Sequence, residues 1–246
     1  MPGPSPLICR SLIPGDLEPP VDPERLTLYD MQFCPYCQRV RYTLDYHGIP
    51  YDRVLIDLSS KPSWYLKMHP LGKVPLLLYR GATMAESDVI MKYVDQLKGA
   101  ESSLLSVCGE EGFKSALNLA SSIALPRHKL CFSPDVTKAD ADALKAALSN
   151  LDDTIKGPYL MGEALSLADL ALFPFLHAWD FMISRLSEVD KDSGAGEEAV
   201  GPHWPKVQQY GQFMNQKPFI TKTAFHDDEF SKFLDSHLPK RPAAKA

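Results

Sequence analysis

The stretch Phe33-Cys34-Pro35-Tyr36-Cys37-Gln38-Arg39 decides the fold of the first part of this chain. It follows a short apolar run, Leu26 to Tyr29, that predicts a strand, and it opens a segment with helical spacing that ends at Gly48. Pro35 suits the first helical position, where its missing N–H costs nothing. Because a helix N-terminus carries partial positive charge, it favours the reactive thiolate of a cysteine placed there. The sequence therefore predicts a redox or thiol-transfer site where a strand gives way to a helix.

The two thiols of this stretch have different predicted roles. Cys34 lies at the exposed end of the predicted helix and is the candidate nucleophile, and Cys37, three residues later, is the candidate resolving thiol. Two alternatives are open: both cysteines are buried small residues of the core, or they bind zinc. No second Cys-x-x-Cys or paired histidine follows at ligand spacing, so no metal is predicted. The strand-to-helix context favours the redox interpretation.

Residues 25–98 alternate strand and helix signals after a proline-rich arm, residues 1–24, that predicts extended chain. The predicted elements after the first helix are a strand at Tyr51–Ile56, a helix at Lys61–Lys67, a strand at Val74–Tyr79, a short strand after Arg80-Gly81, and a helix at Glu86–Leu97. The last helix has an apolar face made of Val89, Ile90, Tyr93, Val94 and Leu97. The fold class is α/β for this domain, a β-α-β unit followed by a hairpin and a helix.

An all-helical domain, residues 108–246, follows a polar linker at 99–107. The predicted helices are Phe113–Leu125, ended by Pro126; Lys138–Ile155; one that opens with a Ser166–Asp169 capping box and is kinked by Pro174; Trp204–Asn215; and Asp227–Leu238. The acidic, glycine-containing segment Asp190–Val200 predicts a mobile surface loop, and Lys240–Ala246 predicts a frayed tail.

Composition restricts the function classes. The 246 residues carry a net charge of −5, which argues against a nucleic-acid partner or an anionic membrane surface, since both require basic protein surface. No apolar run approaches the length of a membrane span. The cysteine count is odd (Cys9, Cys34, Cys37, Cys108, Cys131) and the N-terminus lacks the apolar core of a secretory signal. We therefore expect a reducing, cytoplasmic setting, in which Cys108 and Cys131 are buried or bystander thiols.

Two further motifs fit a ligand site when they are taken together. Val74-Pro75 heads a strand, and a cis peptide there would leave the Val74 backbone free to pair with an extended ligand, although a trans proline is the commoner form. Glu86-Ser87-Asp88 begins a helix whose N–H groups would bind a carboxylate, with Glu86 holding an ammonium; a plain helix cap is the alternative. If these loops meet at one sheet edge, they form a pocket for a thiol-bearing peptide.

The motifs together resemble omega-class glutathione transferases. The resemblance rests on Phe33–Arg39, Lys61-Pro62-Ser63-Trp64, Pro70–Pro75, Glu86-Ser87, Ser166–Asp169 and Phe173-Pro174-Phe175, and it extends to the proline-rich arm, so it covers nearly the whole chain. It implies a thioredoxin-like domain followed by a helical domain, a homodimer, and glutathione as co-substrate. The implied activities are glutathione-dependent thiol transfer and dehydroascorbate reduction on small-molecule or protein disulfides, with weak conjugation of glutathione to electrophiles.

The same resemblance assigns site residues. Glutathione would form a mixed disulfide with Cys34 and would contact Phe33, Lys61 at its glycine end, Val74 and Pro75 at its cysteinyl backbone, and Glu86 and Ser87 at its γ-glutamyl end. For the second substrate, the candidates are Phe175, Trp179 and Phe225, although aromatic residues at helical spacing usually belong to the core.

Cys37 departs from the single cysteine usual in this family and matches dithiol glutaredoxins instead. That leaves open a Cys34–Cys37 disulfide step and a glutathione-ligated iron–sulfur cluster between two subunits. A third alternative is a non-enzymatic glutathione-binding scaffold like the chloride intracellular channel family, which lacks the Trp64, Val74-Pro75 and Glu86-Ser87 set. A glutathione-like thiol other than glutathione also remains open.

Overall fold

The computed structural model describes residues 10–192 and 204–237 and divides the chain into two compact units. The first unit comprises the chain up to Ser106 together with Pro218–Thr223, and the second comprises Val107–Lys217 and the chain from Ala224. The boundary after Ser106 falls within the predicted linker. Nothing in the sequence predicts that Pro218–Thr223 joins the first unit.

The first unit is built on a four-stranded sheet. Its strands are β1 (Leu26–Asp30), β2 (Tyr51–Leu55), β3 (Leu76–Tyr79) and β4 (Ala82–Ala85), in the order β2-β1-β3-β4. β1 and β2 are parallel, and β3 is antiparallel to both β1 and β4. The helices are α1 (Pro35–Tyr46), α2 (Ser63–Met68) and α3 (Ser87–Gln96). This is the predicted thioredoxin-like arrangement, except that β3 begins two residues later than Val74, where Pro75 has no N–H to donate to a ladder.

Two hydrophobic clusters cover the two faces of the sheet. On one face, Leu28 and Leu77 pack with Val40 and Leu44 of α1 and with Ile90 and Val94 of α3; on the other, Tyr29, Val54 and Leu76 pack with Tyr65 of α2. The predicted apolar face of α3 was partly wrong. Val89 and Leu97 are exposed, whereas Met91, which is not part of the predicted face, is fully buried. Packing against the sheet therefore rotates α3 by about one residue from its predicted face.

The described part of the N-terminal arm contains no helix, as predicted, but it is extended only between two turns, at Pro14-Gly15 and Pro23-Glu24, and it belongs to the first unit. Leu12 forms a parallel bridge with Ile56 just beyond the end of β2. The indole Nε1 of Trp64 donates to the Asp16 carbonyl at 3.1 Å, and Asp16 forms an ion pair with Arg10 at 2.6 Å.

The second unit is helical, as predicted. Its elements are α4 (Leu105–Phe132), α5 (Lys138–Thr154), α6 (Leu167–Leu172), a 3₁₀ turn (Phe173–Leu176), α7 (Trp179–Asp192), α8 (Pro205–Asn215) and α10 (Asp227–His237); the short α9 (Pro218–Thr221) belongs to the first unit. The first residues of α4, Leu105 and Ser106, also precede the boundary. The Ser166–Asp169 capping box of α6 is confirmed, and Thr137 and Asp140 form another at the start of α5.

Two predictions about proline in this unit were wrong. Pro126 does not end its helix but lies inside α4, whose break in helical geometry is at Gly109. Buried Ile123, Arg127 and Leu130 hold the helix on both sides of Pro126, so tertiary packing outweighs the one lost hydrogen bond. Pro174 lies in the 3₁₀ turn, and the predicted kinked helix is two helices that meet at 50° across Ala178, which has φ +56°.

Some predictions fall outside the described residues. These are Cys9, the tail from Lys240 onward, Leu238, and the part of the predicted Asp190–Val200 loop after Asp192; the first three residues of that loop are helical, at the end of α7. Among the described residues, no single helix is long and apolar enough to cross a bilayer; only the bent pair Leu167–Leu176 with Trp179–Lys191 meets the length and composition criteria together.

Candidate functional site

Strand register brings the predicted loops of the first unit to one edge of the sheet. Tyr29 of β1 pairs with Leu76 of β3, and Leu76 pairs with Ala85 of β4. The segments that continue from this row are Met31–Cys34 after β1, Val74-Pro75 before β3, and Glu86-Ser87 after β4. Because β2 runs parallel to β1, with Asp30 opposite Leu55, the chain leading to Lys61 also leaves from this edge. Four separate stretches of sequence thus meet where the motifs predicted.

Cys34 is the N-cap residue of α1. It has an extended backbone (φ −77°, ψ 118°), its N–H donates to the Met31 carbonyl at 3.0 Å, and its carbonyl accepts from Gln38 N–H at 3.0 Å. Pro35 occupies the first helical position as predicted. The Cys34 side chain is half-buried, whereas Cys37 is fully buried on the next turn.

The pKa values of the two thiols are shifted in opposite directions. A hydrogen bond from the Cys37 side chain, helped by the backbone N–H groups of Cys37 and Tyr36, lowers the pKa of Cys34 although burial and the Asp30 charge oppose it. Burial, followed by the hydrogen bond and negative charge of Cys34, raises the pKa of Cys37 well above its ordinary value. Of the two thiols, Cys34 therefore loses its proton more easily and Cys37 keeps its proton more firmly. The sequence pointed to the helix N-terminus alone and gave no sign of this donor.

A fully buried carboxylate lies at the end of β1, beneath the Cys34 turn. Asp30 accepts two hydrogen bonds from Arg41 Nη1, at 2.7 and 2.9 Å, and one from Arg53 Nε at 2.7 Å. Burial raises the pKa of Asp30, but the charges of Arg41 and Arg53 outweigh it and lower the pKa below its usual range. This group was not predicted, although Arg39-x-Arg41 places charge at otherwise apolar positions of α1, which is a readable signal.

Lys61 lies close against the turn that leads into β3. Gly72 has φ +59°, and a Cβ built on it would come within 2.9 Å of Lys61 Cδ and 3.2 Å of Lys61 Cε. The methylene stem of Lys61 therefore crosses the bare backbone of Gly72. Gly72 belongs to one of the motifs behind the omega-class resemblance, but the motif alone assigns it no role.

The Val74-Pro75 peptide bond is cis, contrary to the commoner trans form that spacing alone favours. Across the described residues, the Val74 N–H and C=O pair with no other backbone group. They are therefore available to an extended ligand, as predicted.

Glu86 and Ser87 begin α3. Glu86 is exposed and has φ +68°, a left-handed conformation that is costly for a residue with a side chain and is characteristic of functional sites. The buried Ser87 hydroxyl accepts from Arg39 Nη1 at 3.2 Å, so its own proton is directed elsewhere. Burial lowers the pKa of Arg39 to about 10, while electrostatic attraction to neighbouring groups, among them Asp88 and Cys34, opposes that shift. Arg39 thus remains a cation between Cys34 and Ser87.

The three second-substrate candidates lie in the second unit. Phe175 is fully buried in the 3₁₀ turn, Phe225 is buried against His177 and Phe230, and Trp179 meets Trp204 edge-on at 6.3 Å. Phe225 and Trp179 contact different aromatic partners, as core residues do. Their role toward a second substrate stays a prediction.

Comparisons with known proteins place both units in one family. A family model described as glutathione S-transferase, N-terminal domain, matches residues 28–102, and one described as glutathione S-transferase, C-terminal domain, matches residues 134–203. The glutathione S-transferase omega-1 of Mus musculus is 26% identical over 243 residues, covering 96% of this chain and 95% of that protein.

Two further matches differ in coverage. The probable chloroplastic glutathione S-transferase DHAR2 of Oryza sativa subsp. japonica is 35% identical over 154 residues, which are 62% of this chain and 54% of that relative. The chain therefore spans about half the length of this relative. In structure, the chain is similar to glutathione transferase Omega 1C from Trametes versicolor, with a TM-score of 0.72 and 24% identity over 90% of this chain and 100% of that one, which shows the shared fold.

Proposed function

Because the chain belongs to the glutathione S-transferase family, with omega-class members among its relatives, we propose that it is a glutathione-dependent thiol transferase and dehydroascorbate reductase with weak conjugating activity toward electrophiles. The observation that carries the proposal is the state of Cys34. It is a half-buried thiol at the N-terminus of α1, its pKa is lowered by the Cys37 side chain and by backbone N–H groups, and it shares a sheet edge with Val74 and Ser87.

The proposed reaction has two exchanges at Cys34. The Cys34 thiolate attacks the glutathione sulfur of a glutathionylated substrate; the Cys34–glutathione disulfide forms, the substrate disulfide breaks, and the substrate thiolate leaves and takes up a proton. A second glutathione thiolate then attacks the glutathione sulfur of the mixed disulfide, which releases oxidised glutathione and restores the Cys34 thiolate. The net reaction consumes one free glutathione: the glutathionylated substrate becomes the substrate thiol, and the glutathione it carried leaves with the free one as oxidised glutathione.

The glutathione site that we propose uses the loops at the sheet edge. The Val74 N–H and C=O would pair with the cysteinyl backbone beside Phe33 and Pro75, and Lys61 would bind the glycine carboxylate. The Ser87 hydroxyl accepts from Arg39, so its proton is free to be donated to the γ-glutamyl carboxylate, while Glu86 would hold the ammonium.

We propose that Cys37 serves Cys34 as a hydrogen-bond donor in a monothiol cycle. A fully buried thiol with a raised pKa is a poor nucleophile, since the thiolate is the attacking form. A resolving disulfide and a glutathione-ligated iron–sulfur cluster are the competing roles. The cluster predicts a brown protein when the protein is purified without oxygen, and a colourless one would argue against it.

The test measures deglutathionylation of a glutathionylated peptide by Cys34→Ala and Cys37→Ser, with intact mass after exposure to oxidised glutathione. Cys34→Ala should lose turnover and the added glutathione, and Cys37→Ser should keep both. Full activity in Cys34→Ala would refute the mechanism. Retention on glutathione-agarose by a wild-type protein that shows no turnover would favour a scaffold role.

A homodimer and a cytoplasmic location are part of the proposal. The support for the dimer is the resemblance to the omega class, and the support for a reducing compartment is that Cys34 and Cys37 are free thiols. Analytical ultracentrifugation at two salt concentrations tests the first, and cell fractionation tests the second.

A further inference from the structure

A buried ion network connects three elements of the first unit beneath Cys34. Asp30 ends β1, Arg41 lies on α1 and Arg53 lies on β2. The side chains of Asp30 and Arg41 have no exposed surface, and that of Arg53 is 17% exposed. The mechanism proposed above uses none of these three residues.

The same side chains also bind the turn that leads from β1 to Cys34. Arg41 Nη2 donates to the Gln32 carbonyl at 2.8 Å, and Arg53 Nη2 donates to the Gln32 side-chain oxygen at 2.8 Å. Next in the turn, the Met31 carbonyl accepts the Cys34 N–H at 3.0 Å. The two guanidinium groups therefore fix Asp30 and Gln32, and through this short turn they fix the backbone of Cys34.

Stability alone gives little reason for such a network. Removing two or three charges from water is costly, and apolar residues of similar volume usually serve a core at least as well. Arg41 Nε is, moreover, buried with no hydrogen-bond partner among the described residues. What the network provides, and an apolar core does not, is direction. The planar guanidinium of Arg53 binds Asp30 Oδ2 through Nε and Gln32 Oε1 through Nη2, so it holds these two side chains in one relative orientation.

We propose that Asp30, Arg41 and Arg53 are positioning residues for Cys34, which hold the Met31–Cys34 turn so that the sulfur faces its hydrogen-bond donors. The positioning role rests on the proposed function in one respect only, namely that Cys34 is the reacting thiol. Arg53 has a second effect, since it neutralises part of the Asp30 charge that otherwise disfavours a thiolate nearby.

The charged and titratable groups that face Cys34 come from two elements. Asp30 on β1 raises the pKa of Cys34, and Cys37 on α1 lowers it. Arg39 on α1 is close enough for the Cys34 charge to affect it, and the charges of Arg41 and Arg53 lower the pKa of Asp30. Removal of Arg53 acts on Cys34 indirectly, through the charge of Asp30 and through Gln32, since Arg53 contacts these two residues.

The experiment measures alkylation of Cys34 by iodoacetamide as a function of pH in the full chain, followed by peptide mapping. The reaction uses no glutathione, so its outcome is independent of the proposed activity. Arg53→Met should slow alkylation by about threefold or more below the thiol pKa, where the rate follows the thiolate fraction. Arg53→Lys keeps the positive charge but not the planar guanidinium, so its alkylation rate should lie between those of the wild type and Arg53→Met.

A matched control is present on the same strand pair. Arg25 binds Asp52 through Nε and Nη2, at 3.1 and 2.8 Å, and does not touch the Cys34 turn. Arg25→Met should leave the alkylation profile of Cys34 unchanged. An Arg53→Met profile that superimposes on that of Arg25→Met would overturn the proposal.

If Arg53→Met does not yield folded protein, Gln32→Ala is measured instead. This variant loses the Arg53–Gln32 hydrogen bond and keeps the ion pairs of Asp30 with Arg41 and Arg53. It should slow alkylation, and a wild-type rate would overturn the positioning role. Normal Cys34 alkylation in a wild-type protein that lacks reductase turnover would contradict the proposed function and leave the positioning role intact.

Discussion

Gly72→Ala should weaken glutathione binding without changing the reactivity of Cys34. The methyl group would stand 2.9 Å from Lys61 Cδ and 2.9 Å from Leu66 Cδ2, closer than carbon atoms pack. Both neighbours are flexible side chains, so relief comes by displacement of the Lys61 stem and the exposed Leu66 side chain. The Lys61 ammonium then leaves the position in which we propose that it binds the glycine carboxylate.

The size of the effect follows from two separate costs. A residue with a Cβ at φ +59° costs roughly 1–2 kcal/mol of folding stability, whatever surrounds it. A charge-assisted hydrogen bond contributes about 1.5–3 kcal/mol, and a half-buried lysine falls at or below the lower end. Partial loss, about 1 kcal/mol, corresponds to an increase of about fivefold in the Kd for glutathione.

Gly48→Ala is the matched control for this prediction. Gly48 has the same φ of +59°, and a Cβ built on it would meet nothing within 4 Å, so its variant carries the backbone cost alone. Calorimetric titration with glutathione and thermal denaturation are measured on both variants. Both should lose similar stability, and only Gly72→Ala should bind glutathione more weakly, with an unchanged rate of Cys34 alkylation.

A double-mutant cycle with Lys61→Met completes the test. If the displacement of Lys61 is the cause, Gly72→Ala should add little further loss of affinity once Lys61 is methionine. Equal loss of affinity in Gly48→Ala and Gly72→Ala, or full additivity of Gly72→Ala and Lys61→Met, would refute the reasoning.

Three further predictions concern groups elsewhere in the chain. Cys37→Ala removes the main hydrogen-bond donor to the Cys34 sulfur, so it should slow alkylation of Cys34 below neutral pH. Cys37→Ser keeps a donor and should slow alkylation less. Equal alkylation rates in the two variants would contradict the donor role of Cys37. Burial raises the pKa of Asp95, but hydrogen bonds from His47, Ser103 and the Leu104 and Leu105 N–H groups lower it below the ordinary value. A carboxyl whose pKa is lowered in the native state stabilises the fold at pH values above its unfolded-state pKa. That contribution is lost as the pH falls through the native-state pKa. The urea midpoint of the wild type should therefore be higher at about pH 6 than at about pH 3, and Asp95→Asn should reduce this difference. The buried Asp169 accepts from Leu160 N–H, Ser166 N–H and the Ser166 hydroxyl, and Asp169→Ala should cost about 2 kcal/mol of unfolding free energy, against about 1 kcal/mol for Thr137→Ala at the exposed capping box of α5.

The elements of the first unit could be predicted from the sequence because they depend on local rules. The apolar run that begins at Leu26, Pro35 at the first helical position and Gly48 at the helix end each act within one turn or one strand. The Ser166–Asp169 capping box is equally local, since its bonds join residues three apart. Pro126 shows the limit of such rules, because burial of neighbouring residues decides whether a helix survives a proline.

Motif and spacing were enough to predict a reactive cysteine at a helix N-terminus after a strand, and to group it with Val74, Glu86 and Ser87. The sequence predicted Cys34 as the nucleophile from its place at the helix N-terminus, but only the folded chain buries Cys37 and makes it a hydrogen-bond donor that lowers the pKa of Cys34. The folded chain also joins Asp30, Arg41 and Arg53 in one buried network and lays the stem of Lys61 across Gly72. The bonds of that network join residues 11 and 23 positions apart, and their energies depend on exclusion of water, which no local pattern encodes.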